Sequence, residues 1–430
     1  MPVRSIPWWL QCCFGALVCT ALLVVAIAMT PDRGTVARER LADDLERITF
    51  DEVALVDTDY IEFDVRATDV SVHVQFSGQD PFAYVLITGI QGPGDHWIYR
   101  NIATADDEDS GTVISLFSGS VYGQYGDAAV FMPMTPAQTL KPGRYRVFVD
   151  AEEGALLRNS SVVFKTSERS IDDIPHTLDV NLWVAHTNTA WVEALAQHRL
   201  DVAYRQTLDR MLQPHELAIG QLSLYRATSD EVARYSLIDE YDDAQIQSAC
   251  SAMLARVENE RALNVVLVET LYSEEGGSAD FSSVPGPIFD TSAVNGCVFM
   301  AESAYTTDPA EGLDQGMVDE LQAVTLLHEG GHFMSLEHSS DSDGRRFDYL
   351  SDTPECDIES HDGRTDIWTG EQGEIDGEIT DYECGTAGGA DNVLFYSGVI
   401  EYAPFKLSPY QAWVLRRHPL FRPAAQVNDS

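Results

Sequence analysis

"LLHEGGHFMSLEHSSD", residues 326–341, carries three of the chain's eleven histidines. His328 and His332 are four apart. On an α-helix both side chains then leave one face about a turn apart, close enough to share one ion. Glu329 follows His328 and points sideways from that pair, where it can reach a metal-held water without becoming a ligand. This H-E-x-x-H arrangement is that of a hydrolytic metal centre with glutamate as general base. The competing reading is two surface histidines on an amphipathic helix, and His338 weighs against it. A continuing helix would carry His338 sideways from the pair, but a sharp turn after Met334 would return it. Three imidazoles and one open position would result, the arrangement that a catalytic zinc needs. Gly330 and Gly331 interrupt the same helix, each at a cost of roughly 1 kcal/mol relative to alanine. Placed beside the ligands, they point to close approach of a neighbouring strand or of substrate backbone; the competing reading is simple tolerance in a well-packed helix.

Working outward, the motif ends a helical stretch, "DQGMVDELQAVTLLHEGGHFM". Before it, strand and helix patterns alternate from about residue 176. "LDVNLWVAH", "LAIGQLSLYRA", "ALNVVLVETL" and "CVFMAE" read as strands, and "DAQIQSACSAMLARV" as a helix. "AWVEALAQHRLDVAYRQTLDRML" reads as a second helix, with Trp191, Leu195, Val202 and Leu208 on its apolar face. Such alternation predicts a mixed α/β domain over 176–425. Some fifty Gly-, Asp- and Glu-rich residues with little periodicity follow the motif. "LSPYQAWVLRRHPLF" then closes the chain as a helix, with Ser408 as cap and Pro409 in the first turn.

Residues 49–168 show the other periodicity. "YIEFDV" and "SVHVQF" place Ile61, Phe63 and Val65, and Val72, Val74 and Phe76, on single faces, and turn clusters separate the runs. Short strands at that spacing predict an all-β sandwich. Residues 31–48, "PDRGTVARERLADDLERI", are charged and read as a linker. Residues 1–30 hold an uncharged run after Arg4 and a small-x-small Ala26-Ile27-Ala28. They read as an export signal, or as an anchor through residues 8–29 if uncut. Four cysteines remain beyond that leader: Cys250, Cys297, Cys356 and Cys384. In an exported chain they predict two disulfides in one of three connectivities, with Cys250–Cys297 and Cys356–Cys384 favoured. The 69 acidic against 27 basic residues give a net charge of −42, which repels nucleic acid and anionic membrane surfaces.

The motif resembles the metzincin metallopeptidases, whose pattern is H-E-x-x-H-x-x-G-x-x-H, and within them the pappalysin-type peptidases. Gly331 in "HEGGHFMSLEH" matches the pappalysin form, and "FDYLSDTPEC" is similar to its Asp-Thr-Pro segment. "DNVLFYSG" stands where the family carries a methionine turn and a following tyrosine, and "LSPYQAWVLRR" resembles the closing helix. The resemblance spans about 180–420 and is close only in the C-terminal half. It implies one zinc held by His328, His332 and His338, with Glu329 activating water and Tyr396 stabilising the oxyanion. It also implies a polypeptide substrate bound in extended form by strand addition beside "CVFMAE" and the loop "SVPGPIFDTSAVNG". Two positions depart from the family: Ser335 stands for the turn glycine and Leu394 for the methionine.

Asp341, Asp343, Asp348, Asp352 and Asp357 form an oxygen-rich stretch, read either as a calcium site, as some relatives carry, or as a solvated acidic loop. His186, His198 and His215 stand alone and read as structural or exposed. The expectation is an exported zinc endopeptidase. The alternatives are a non-catalytic surface or adhesion protein with a structural metal, and a zinc hydrolase of non-peptide substrates.

Overall fold

The computed structural model describes residues 38–54, 60–77, 85–100, 121–124, 127–151, 156–239, 242–259, 261–272, 281–282, 296–302, 314–342, 344–345, 347–361, 379–396 and 404–424. The apolar stretch near the N-terminus lies outside them. No helix of the described residues is long and apolar enough to cross a membrane.

Period-two alternation becomes strands in the N-terminal half. They are β1 (Glu39–Ala42), β2 (Leu45–Ala54), β3 (Tyr60–Val65), β4 (Asp69–Ser77), β5 (Val85–Gly92), β6 (His96–Arg100), β7 (Val121–Gln124), β8 (Asp127–Met132), β9 (Gly143–Ala151) and β10 (Leu156–Thr166). They form two antiparallel sheets, ordered β1-β2-β10-β4-β8-β7 and β3-β9-β5-β6. One core joins the sheets. Ile61, Phe63 and Val65 of β3 and Val72, Val74 and Phe76 of β4 meet in it with Tyr145, Val147 and Val149 of β9.

Residues 39–48 are not a linker. They form β1 and the start of β2, and Leu45 and Ile48 are buried. Their charges misled because they lie outward as surface pairs, Arg40 with Asp43 and Arg47 with Glu39. Asp44, in the turn between the two strands, receives a two-pronged bond from Arg261 of the C-terminal half (2.6 and 2.8 Å).

The six-stranded sheet is buried on both faces. Opposite its core side, Ser71, His73 and Gln75 of β4 and Lys165 of β10 are buried too, although polar. There Ser71 donates to the Arg417 carbonyl, and Lys165 donates to the carbonyls of Arg416, His418 and Phe421. Phe131 of β8 joins the core of the C-terminal half.

That half runs β11 (His176–Ala185), α1 (Thr189–Ala194), a π-helical stretch (Leu195–Tyr204), α2 (Arg205–Leu212), β12 (Leu217–Arg226), α3 (Ser229–Tyr235), β13 (Leu237–Asp239), α4 (Asp243–Leu254), β14 (Leu263–Val268) and β15 (Thr270–Tyr272). It continues with β16 (Phe281–Ser282), β17 (Val298–Ala301), α5 (Gln315–Phe333), α6 (Ile358–His361), α7 (Asp381–Cys384), α8 (Pro409–Arg417) and β18 (Arg422–Pro423). The sheet has six strands, ordered β12-β11-β14-β17-β16 with β18 paired antiparallel to β11 off that path. Its first four strands are parallel, and β16 pairs antiparallel at the edge beside β17. All six residues of β14 are buried because helices cover both faces of the sheet. One face packs on α1, α2, α5 and α8, the other on α4.

The helical reading of 190–212 misplaced one residue. Val202 is 58% exposed, while Leu195, Leu200, Tyr204, Leu208 and Leu212 face the core. The π-wound segment takes more residues per turn than an α-helix, so it advances the buried stripe past Val202. Both disulfides join neighbouring cysteines: Cys250–Cys297 ties α4 to the start of β17, and Cys356–Cys384 ties the segment before α6 to α7. Two disulfides are compatible with an oxidising compartment.

Candidate metal centre

Asp314 caps the start of α5, its side chain accepting the Met317 N–H (3.0 Å), and the helix ends in a Schellman turn. The Ser335 N–H bonds back to the His332 carbonyl (2.8 Å) and the Leu336 N–H to the Gly331 carbonyl (2.9 Å). Ser335 takes the left-handed conformation this requires, with φ of 73°. The chain doubles back there and brings His338 to the two helical histidines.

The three imidazoles converge, their nearest ring nitrogens all within 4.8 Å of one another. Each ring is held from behind. Nδ1 of His328 donates to the Val393 carbonyl (2.7 Å), that of His332 to the Leu336 carbonyl (2.8 Å), and that of His338 to Asp341 (2.8 Å). Those acceptors fix the protons on Nδ1 and leave Nε2 bare. Nε2 of His328 then lies 3.1 Å from that of His332 and 3.2 Å from that of His338. Lone pairs at that separation repel one another unless a cation sits among them. Tetrahedral ligands at metal–nitrogen distances of about 2.0–2.1 Å stand about 3.3 Å apart. The donor set therefore fits a metal ion. Burial pushes His328 down to about 3, helped by neighbouring His338 and opposed by the Val393 carbonyl. Burial also holds His332 well below the ordinary value. Both rings stay neutral at neutral pH, the form that binds metal.

Glu329 is 8% exposed, and its Oε1 lies 3.9 Å from Nε2 of His328. That places the carboxylate on the bare-nitrogen side of the ring, beside the imidazoles. Gly330 and Gly331 now have their reason. A Cβ on Gly330 would lie 2.6 Å from Leu263 of β14, and one on Gly331 would lie 3.2 Å from both methyl groups of Leu394. The close approach is thus from a strand side chain and from the 391–395 turn.

Tyr396 sits differently. Its hydroxyl donates to the Ile379 carbonyl, and its ring packs beside Phe395 at 4.9 Å, against the small core around Cys356–Cys384. The aspartates divide among separate tasks. Asp341 orients His338, Asp352 accepts from Ser408 Oγ (2.9 Å) and the Tyr410 N–H (2.8 Å) at the start of α8, and Asp357 accepts from the Ser360 N–H (2.9 Å). Asp343 lies outside the described residues. Among the described residues, the three imidazoles are the one such group that could hold a metal ion. His186 is buried and stacked on Trp191 at 4.7 Å, and His215 meets the Leu407 carbonyl at 3.2 Å. The His198 side chain lies outside the described residues. The orienting role of Asp341 was missed in the sequence, although its position three residues after His338 is the signal that carries it.

Two side chains here carry measurable strain. Ser335 combines positive φ with a buried hydroxyl that has no hydrogen-bond partner. Ser335→Gly is expected to stabilise the metal-free protein by about 1 kcal/mol, read from urea unfolding. Asp348 is buried, and one of its oxygens has no partner. Burial pushes its carboxyl up to about 7, against hydrogen bonds from Thr353 and Leu350, with Asp352 and Glu355 adding to the rise. Between pH of about 4 and 7 the folded chain keeps a proton that the unfolded chain has lost. The stabilising contribution is therefore full below about pH 4 and lost as pH rises through 7. Relative to wild type, Asp348→Asn should gain up to about 4 kcal/mol between pH 4 and 8 in paired unfolding titrations.

No protein-family model and no curated protein sequence matches the chain. Among solved structures, a family two carbohydrate esterase from Cellvibrio japonicus aligns at 7% identity and a TM-score of 0.14, covering 56% of this chain and 78% of that one. A GH26-CBM35 β-(1,4)-mannanase from Podospora anserina aligns at 9% identity and a TM-score of 0.16, covering 68% and 63%. Scores this low do not indicate a shared fold.

Proposed function

We propose that the protein is a zinc-dependent endopeptidase of the metzincin type, most like the pappalysins, acting outside the cytoplasm. The observation that carries this reading is the convergence of three Nε2 lone pairs with a buried carboxylate beside them. A purely structural site has no use for that carboxylate. The order of this sheet, with antiparallel β16 outermost beside β17 among the described residues, also supports the reading. An edge strand there can take an extended polypeptide by strand addition.

His328, His332 and His338 would hold the ion. Bound zinc supplies a water acidified to near neutrality and polarises the carbonyl under attack. Glu329 takes a proton from the attacking water and delivers it to the leaving amine. Tyr396 can serve the oxyanion only by giving up the Ile379 carbonyl, so its part is a rearrangement on substrate binding. The chain is taken to be secreted, or held at a membrane by residues 8–29, and to bind no nucleic acid. Calcium is no part of this reading, because among the described residues the three imidazoles are the one group that could hold a metal ion.

Incubation of the purified protein with casein or gelatin tests it. Fragments should form, stop with a zinc chelator and return with added zinc. A zinc-loaded protein that leaves both substrates whole would remove the endopeptidase reading.

A further inference from the structure

The 391–395 turn touches every ligand-bearing segment. The Val393 carbonyl takes the His328 Nδ1 proton, and the Leu394 carbonyl accepts the Ser339 N–H (2.9 Å), next to His338. The Leu394 methyl groups fill the space over Gly331, next to His332. What fixes the turn lies behind it. Asn392 and Gln411, the latter on α8, are both essentially unexposed and face each other as paired amides. Asn392 Nδ2 donates to Gln411 Oε1 (3.1 Å), and Gln411 Nε2 donates back to Asn392 Oδ1 (3.0 Å). The same Oδ1 accepts the Leu394 N–H (2.8 Å), and the same Oε1 accepts the Ser408 N–H (2.8 Å). Hydrocarbon of similar shape would fill this space without polar groups to satisfy. A closed amide pair fixes distance and rotation, which hydrocarbon does not.

We propose that Asn392 and Gln411 are positioning residues for the metal centre: their pairing anchors the turn to α8 and so sets the orientation of His328. The proposal rests on the metal-binding part of the proposed function and not on the proteolytic part. Partners of this kind behind a metal ligand typically change affinity 10–100-fold when lost.

The test uses cobalt(II) with the full chain and no substrate, so it is decided whether or not the protein cleaves polypeptides. Affinity is read by competition with a chromophoric chelator, and coordination by the visible absorption bands. Gln411→Met keeps the volume and loses the pairing. It should bind cobalt about 10–100-fold more weakly, with altered bands. Val74→Ala, in the core between the two N-terminal sheets, lowers stability far from the site and should change neither readout. Should Gln411→Met fail to fold, Asn392→Ala breaks the same contact from the turn and is read in its place. A folded variant with wild-type affinity and wild-type bands would overturn the proposal, as would a wild-type protein that binds no cobalt.

Discussion

Glu329→Gln should lower peptide hydrolysis by about 10²–10⁴ in kcat while leaving metal content unchanged. The side chain is nearly isosteric, so the packing around this 8%-exposed position is kept. What is lost is a group able to accept a proton at neutral pH. The nearest carboxylate oxygen is 3.9 Å from the ring nitrogen of His328, outside the three-nitrogen set, so the ion should stay. The effect therefore falls on kcat, with KM and zinc stoichiometry near wild type. A non-peptide hydrolase would show the same fall, but on a different substrate. A structural metal site would show no hydrolysis in the wild type to lose. A variant that loses zinc together with activity would make Glu329 a ligand and remove it as the base. Turnover of a quenched peptide, measured beside metal analysis of the same sample, separates these outcomes.

What could be read from the sequence depended on how local the cause was. The turn that returns His338 was legible because Met334, Ser335 and Leu336 form it from their own backbone bonds. The pairing of His328 with His332 follows from helical spacing alone. The support behind the rings was not legible. Val393 lies 65 residues from His328, and Gln411 lies 19 from Asn392, in an amide pair with no periodic signature. Charge was the weakest guide. "ERLADDLERI" looks like a solvated connector, yet it pairs as strands and sends Asp44 onto Arg261, because a strand at the sheet's edge tolerates charge on its outer side. Val202 was misjudged for another reason: a π-wound segment changes the period on which the helical face was drawn.

Lys165→Ala is expected to destabilise the folded protein by about 2–5 kcal/mol, the largest stability effect foreseen for any single side chain here. The amine is 1% exposed and donates to the carbonyls of Arg416 (2.5 Å), His418 (3.1 Å) and Phe421 (2.5 Å), at and just past the end of α8. Alanine would leave those acceptors buried and unpaired, and would open a cavity where three methylenes and the amine had been. Burial pulls the Lys165 pKa well below its ordinary value, with Arg261 adding, Asp44 opposing, and Arg417 and Arg416 adding. The pH dependence follows from that direction. Between the lowered folded pKa and the ordinary 10.5, the unfolded chain holds a proton that the folded chain lacks, so this contribution to stability grows as pH rises. Lys165→Met keeps the stem and removes the titrating group. Its cost relative to wild type should therefore be larger at pH 9 than at pH 6, by unfolding midpoints at both. An equal cost at the two pH values would mean the amine stays charged in the folded protein. The consequence extends past stability. Lys165 belongs to the N-terminal sheet but holds the far end of α8, whose first turn carries Gln411. If the sheet braces the helix that braces the turn, Lys165→Ala should also weaken cobalt binding, and by less than Gln411→Met does. Equal losses would place the brace at the sheet, and no loss at all would confine the role of Lys165 to stability.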